Sequence, residues 1–293
     1  MSARGTGAVL FVAVCVLGLS RPAAADDDEE ARLESRWPLE WIARPQTLPR
    51  GMLQLDITGQ GTIPNHRNAV DPVSGYSYQF YPAFQLGLSL AAGLGERWEI
   101  SAWYPRALCL SEAQPSACDP TNRYRGAGAG GTYGFLRGER VQGAFTAELE
   151  LARSSPFELE WLVDAWFKMA ASPRLAFGLT VSARRAINPP AQDLVASTFG
   201  SLDLGLTLQA TRRLALFSDL IPWAAMARVS DGVALEIMGG ATYTFSHELQ
   251  VGLQASSSNV LSNPPWNQTV PAWFVAADLV WWVDWEGPGI IQP

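Results

Sequence analysis

Glu148 and Glu150 lie two residues apart, as do Glu158 and Glu160, with Asp164 and Lys168 following at four-residue steps and Arg184 further on. Even spacing gathers side chains on one face of an extended strand, because successive residues point to opposite sides. If 140–151 and 157–169 form a hairpin through Ala152–Pro156, Glu150 faces Glu158 and Glu148 faces Glu160, with Asp164 further along the same face. With the next turn at Ala170–Pro173, Arg184 falls opposite Glu160. Carboxylates at cross-strand distance repel one another unless cations sit among them. The cluster could therefore draw cations, or a neutral or basic solute, into a polar constriction. It could equally close on Arg184, Lys168 and loop arginines as a network that stiffens its surroundings.

Other chemistry finds little support. His247 follows Ser246 directly and His66 stands in a long polar stretch, and neither has an identifiable orienting partner. There is no Gly-x-Ser-x-Gly elbow, and Gly126–Gly131 is not followed by the Lys-Ser/Thr of a phosphate loop. A hydrolase is thus a remote alternative, with no catalytic residue to name. No cofactor is expected, nor a metal site, since neither histidine has a cluster of ligands nearby. Asp56, Asp203, Asp219, Glu236 and Asp278 are further isolated acids, expected as satisfied polar side chains.

The chain has 293 residues, a formal charge of −7, 48% hydrophobic and 17% charged residues. Lys168 is its only lysine. No basic footprint for nucleic acid is present. Residues 1–25 read as a secretion signal: Arg4, an apolar centre over Ala8–Leu19, and Ala23-Ala24-Ala25 before Asp26–Glu30. Cys15 falls inside that signal. Cys109 and Cys118 remain as a pair, expected as a disulfide in an oxidising compartment. After residue 25 no apolar run approaches the roughly 20 residues of a spanning helix.

The elements that must carry the acids are strands. Leu53, Leu55, Ile57 alternate with Gln54, Asp56, Thr58, and Phe84, Leu86, Leu88, Leu90 with Gln85, Gly87, Ser89, Ala91. The same alternation runs through 141–151, 157–169 and 249–256. About twelve such strands are predicted, over 51–59, 83–92, 97–105, 124–137, 140–151, 157–169, 174–184, 196–209, 213–221, 232–245, 248–257 and 272–285. Short turns (Gly93–Glu96, Gly138–Glu139, Ala170–Pro173, Ala210–Arg212, Ser246–His247) alternate with mostly longer connections. That pattern fits an all-β, closed antiparallel up-and-down transmembrane β-barrel with short periplasmic turns and longer extracellular loops. Trp98, Tyr104, Trp161, Tyr243, Phe245, Trp273, Trp281 and Trp285 lie near strand ends, where amphipathic rings meet a membrane surface. A soluble barrel would carry lysines outside. Here the polar set of Gly, Ser, Thr, Gln and Glu suits a narrow wet lumen, and the apolar set faces lipid.

Signal, periodicity and the closing stretch Leu279–Trp285 together resemble the medium-sized outer-membrane barrels of Gram-negative bacteria. Leu279–Trp285 is similar to the aromatic terminal strand that the barrel-assembly machinery reads in that group, though the tail 286–293 follows it. Arg44–Gly51 resembles the lead-in of several barrel families, including those grouped with phenol-degradation outer-membrane proteins. The resemblance implies a bacterial outer-membrane location, with lipid, a small solute and the assembly machinery as partners. It transfers no functional residue. The acidic lead-in 26–50 could be a periplasmic tether, a short helix such as Glu30–Arg36, or a plug, ahead of a barrel over 51–285. A channel or facilitator for small solutes is the leading expectation. A non-conducting surface barrel that binds a partner through its loops, with the Cys109–Cys118 loop as a rigid feature, is the alternative.

Overall fold

The computed structural model describes residues 27–64, 68–70, 77–79, 83–108, 126–154, 157–187, 198–226, 229, 233–257, 260 and 272–285. The expected secretion signal, Cys109, Cys118, His66 and the tail 286–293 lie outside the described residues. The strands are β1 (Met52–Pro64), β2 (Asn68–Val70), β3 (Ser77–Gln79), β4 (Ala83–Gly93), β5 (Trp98–Leu108), β6 (Gly128–Arg137) and β7 (Val141–Ser154). They continue as β8 (Phe157–Ser172), β9 (Leu175–Ala186), β10 (Thr198–Gln209), β11 (Leu214–Ala225), β12 (Ala234–Ser246), β13 (Leu249–Ser257) and β14 (Ala272–Asp284).

Twelve of them close into one barrel, each paired antiparallel with its neighbours, β1 joining both β4 and β14. Closure pairs every barrel strand on both sides and leaves no open edge. The remaining two, β2 and β3, form a small hairpin in the connection after β1 that alternation did not reveal. β1 also runs past the expected end at Gly59. Gly59 and Gly61 contribute no apolar side chain to the pattern, yet the ladder to Ala277 and Val275 continues through them.

The two faces are opposite in character. Leu88 (44% exposed), Leu149 (52%) and Leu253 (59%) stand on the outside, whereas Thr146 (8%) and Gln250 (6%) are buried inside. Leu86, Ile100, Phe145, Phe177, Val181, Leu204 and Leu216 extend the exposed apolar exterior around the barrel. Such a belt is far more apolar than a soluble surface needs.

The helix Asp27–Arg36 belongs to a separate N-terminal unit. It starts in an acidic run and ends on Arg36, the polarity that suits a helix dipole. It is one turn longer than the expected Glu30–Arg36.

Candidate functional site

The lumen wall carries the acidic cluster, in a register different from the one read from sequence. Glu150 pairs with Glu160, Glu148 with Leu162, and the backbone of Glu158 pairs with Arg153. The hairpin is longer than the assumed Ala152–Pro156 loop: β7 runs to Ser154, β8 starts at Phe157, and a bulge lies between Leu151 and Arg153. A tighter turn moves each partner by two residues, so the face is kept and the neighbour changes. Arg184 likewise pairs with Leu162, not Glu160, because β8 and β9 extend to Ser172 and Leu175 around a bulge. Its guanidinium nevertheless reaches both acids, with Nη2 2.8 Å from Glu150 Oε2 and Nε 2.9 Å from Glu160 Oε2. Asp164 stands between Thr146 and Ser182 on the neighbouring strands.

Five of the inward charges share one construction detail. Glu148 pairs with Gly130, Glu150 with Gly128, Asp219 with Gly205, Asp278 with Gly252, and Lys168 with Gly178. A methyl group on Gly252 would stand 2.2 Å from Asp278 Oδ1, and one on Gly205 2.6 Å from Asp219 Oδ1. The side chains of Asp278, Asp219 and Glu148 therefore lie along the wall, in space that the glycine leaves, rather than projecting across the bore. This gives the Gly-rich stretch 126–131 a role: Gly128 and Gly130 are the beds for Trp103 and Glu148. Asp56 accepts a bond from Thr58 Oγ1 at 3.2 Å.

At the short-turn end the lumen is crossed by residues 37–50. Trp37, Leu39, Ile42, Arg44, Thr47 and Leu48 are all buried there. A 3-10 turn over Trp41–Ala43 bends the chain, and Gln209 Oε1 accepts the Ile42 amide at 3.3 Å. Glu99 Oε2 accepts the Leu48 amide at 2.8 Å. Arg44 is the centre of this arrangement. It donates to Gln250 Oε1 (2.6 Å), Thr244 Oγ1 (3.1 Å) and the Pro38 carbonyl (2.8 Å). Its guanidinium lies 5.3 Å from the Trp37 ring and 4.7 Å from the Trp282 ring, both favourable cation–π distances. Trp282 Nε1 donates to Gln54 Oε1 at 2.9 Å, which fixes its ring. Lys168 Nζ donates to the Arg44 carbonyl, and His247 Nδ1 meets the Trp37 carbonyl at 2.9 Å. The anchoring side chains come from β5, β8, β10, β12, β13 and β14 and from the β12–β13 turn, so the segment is held from all around.

No protein-family model and no curated protein matches the sequence. Solved structures do match the fold. The outer-membrane channel of the COG4313 group from Pseudomonas putida F1 superposes with a TM-score of 0.55 at 11% identity, covering 81% of this chain and 97% of that one. The NanC porin gives 0.53 at 10% identity over 78% of this chain and 98% of its own. The KdgM porin in complex with disordered oligogalacturonate gives 0.52 at 7%, again over 78% and 98%. At these identities the likeness carries the fold: this chain has the porin-like twelve-strand barrel.

Of the residues singled out from sequence, Glu148, Glu150, Glu160, Asp164, Lys168 and Arg184 share the lumen, but not as one group. Lys168 belongs to the anchored segment, 5.8 Å from the Trp41 ring, while Arg184 takes the acids. Trp98 and Trp281 are exposed on the outer face, Tyr243 packs edge-on against Phe245 at 4.9 Å, and Trp98 lies 4.6 Å from Tyr133. Tyr104 and Trp161 are half-buried. Trp285 follows β14, its amide donating to the Gly51 carbonyl at 2.9 Å. Arg44, Trp37, Trp282 and Gln250 were missed. A signal for Trp282 existed: it falls in the polar parity of β14, with Asp278, where a large ring needs an occupant of the lumen to pack against.

Proposed function

We propose that this protein is a channel of the bacterial outer membrane that passes small polar solutes and favours neutral or cationic ones. The observation that carries this reading is the inverted barrel: an apolar outside, exposed all round, and an inside lined by carboxylates laid over glycines. The exterior matches a hydrocarbon environment, in which a closed barrel is one of two permissible spanning structures. Glu148, Glu150, Glu160 and Asp164, only partly offset by Arg184, make the wall net negative, and rings of one charge set ion preference in a narrow bore. The likeness in fold to porins, one of them bound to oligogalacturonate, supports a solute-conducting role.

Purified full-length protein in planar bilayers under a potassium chloride gradient should give a reversal potential on the cation-selective side. Anion selectivity would overturn the acidic-lumen reading. The second reading, a non-conducting surface barrel, is favoured by the anchoring of residues 37–50 across the lumen. Swelling of liposomes in a small neutral sugar separates the two: a conducting barrel swells them, a sealed one does not.

A further inference from the structure

The short turns repeat one arrangement. In each, the residue just before the next strand offers its carbonyl to an amide of a neighbouring strand. Arg97 accepts from Gly134, Arg140 from Ala170, Arg174 from Gln209, Arg213 from Thr244, Glu248 from Trp282, and Gly51 from Trp285. Four of these six equivalent positions are arginine, all exposed. Each lies an even number of residues from an inward side chain of its own strand: Arg97 from Glu99, Arg140 from Gln142, Arg174 from Ala176, Arg213 from Ala215. They therefore edge the mouth of the lumen rather than its outer wall. Neighbouring acids do not cancel them: Glu96 pairs with Arg137 at 3.0 Å and Glu40 with Arg212 at 3.7 Å. Even with Glu139, Glu248 and Asp284 at this end, the described residues of the rim stay net positive, four arginines against three acids.

We propose that these four arginines form a positive collar that acts in series with the acidic lumen, so that the pore is bipolar along its axis and rectifies. The inference rests on the channel reading above. From Arg213 to Asp219 the strand runs six residues, roughly 20 Å at about 3.3 Å per residue, which a tilt of about 40° makes about 15 Å along the barrel axis. That separation exceeds the roughly 8 Å screening length at physiological ionic strength, so collar and acids act as two distinct filters. A voltage that drives cations from the acids toward the collar, and anions from the collar toward the acids, fills the zone between the two filters with both ions. The opposite voltage depletes that zone of both. Conductance must then depend on polarity. Simple anions are admitted at the collar and refused at the acids, cations the reverse. Neutral solutes, and zwitterions that can present either charge, meet the least opposition.

The test is single-channel recording of the full chain in symmetric potassium chloride. One molecule is read at a time, so mixed insertion does not average the asymmetry away. The expected result is unequal current at equal and opposite voltage, roughly twofold or more near 0.1 M, fading toward about 1 M where screening shrinks to about 3 Å. The variant carrying Arg97→Gln, Arg140→Gln, Arg174→Gln and Arg213→Gln should conduct symmetrically and be more cation-selective. The matching Arg→Lys variant should keep the asymmetry. Measurable conductance with equal currents at both polarities in low salt, or asymmetry unchanged in the Gln variant, overturns the collar while leaving the channel intact. A barrel that conducts nothing overturns both.

Discussion

Arg44 and Arg184 both point into the same barrel, yet they are held by opposite means. Arg44 is 5% exposed, with two indole faces, an amide, a hydroxyl and a carbonyl around it. Arg184 keeps 43% of its side chain exposed and sits between two carboxylates. The first is part of a dry plate at the short-turn end, the second of a wet wall. In the dry plate every polar group removed leaves another without its partner, at about 1–3 kcal/mol each. On the wet wall water replaces a lost partner, and such a pair is worth about 0–1 kcal/mol. Substitutions at the short-turn end should therefore move structure, and substitutions on the wall should move ions.

The largest effect is expected from Arg44→Ala. It leaves Gln250 and Thr244 with only the long 3.4 Å bond that Thr244 Oγ1 donates to Gln250 Oε1, and removes the cation from between Trp37 and Trp282. A loss of about 2–4 kcal/mol in the anchoring of residues 37–50 follows. Hydrogen exchange at the Ile42 and Leu48 amides should accelerate by roughly two orders of magnitude, with a rise in conductance. Amides that stay protected would make the plate self-supporting and end the contrast with the wall.

Next in size comes Gly93→Ala. A Cβ there would lie 2.0 Å from the Pro49 carbonyl oxygen and 2.6 Å from that of Leu48, both backbone atoms that cannot swing aside. The Gly51 amide is bonded to the Gly93 carbonyl at 3.0 Å, so the crossing segment must shift as a unit. Overpacking of this kind costs about 1–3 kcal/mol. Thermal unfolding of the refolded barrel should report it, and unchanged stability would mean that the segment yields easily.

The barrel itself was legible because one rule repeats. A period of two, read in strands such as 141–151 and 249–256, fixes faces, and short turns fix neighbours. What failed was register. Alternation is blind to a shift of two residues, since the inward set stays inward, so Glu150 was matched with Glu158 rather than Glu160. Only the turn and the bulge at Leu151–Arg153 decide that pairing. The acidic wall was still found, because long side chains such as Arg184 bridge across the error. The plate was only one of three readings open for 26–50, a plug beside a tether and a short helix, because there is no periodicity to choose among them in residues 37–50. Their partners Gln209, Thr244 and Gln250 are ordinary inward polar residues until a chain crosses the lumen and uses them.

A smaller effect is expected at Gly252→Ala, although the gap it fills is as tight as that at Gly93. The obstacle here is the Asp278 carboxylate, the free end of a side chain in a wet lumen. It can turn into the bore for about 1 kcal/mol or less. The pair should behave as a unit: in an Asp278→Ala background the same substitution should cost almost nothing, a coupling that a double-mutant cycle measures directly. If Gly252→Ala destabilises as much as Gly93→Ala, side-chain and backbone obstacles are equivalent here and the wall is as dry as the plate.

The smallest structural effect, and the clearest ionic one, belongs to the double variant Glu150→Gln and Glu160→Gln. Shape and hydrogen-bonding reach are preserved while both partners of Arg184 lose their charge. Stability should change by less than about 1 kcal/mol, because Arg184 keeps 43% of its side chain exposed and water and the glutamine amides replace the lost charges. The reversal potential should move toward anions, since two of the four carboxylates around Arg184 lose their charge while the arginine keeps its own. Arg184→Gln should move it the other way, leaving Glu148, Glu150, Glu160 and Asp164 without their counter-charge. Opposite shifts from two nearly isoenergetic substitutions can arise only if passing ions feel these side chains. Shifts of the same sign, or none, would mean that the cluster braces β7, β8 and β9 and that selection is made elsewhere along the bore.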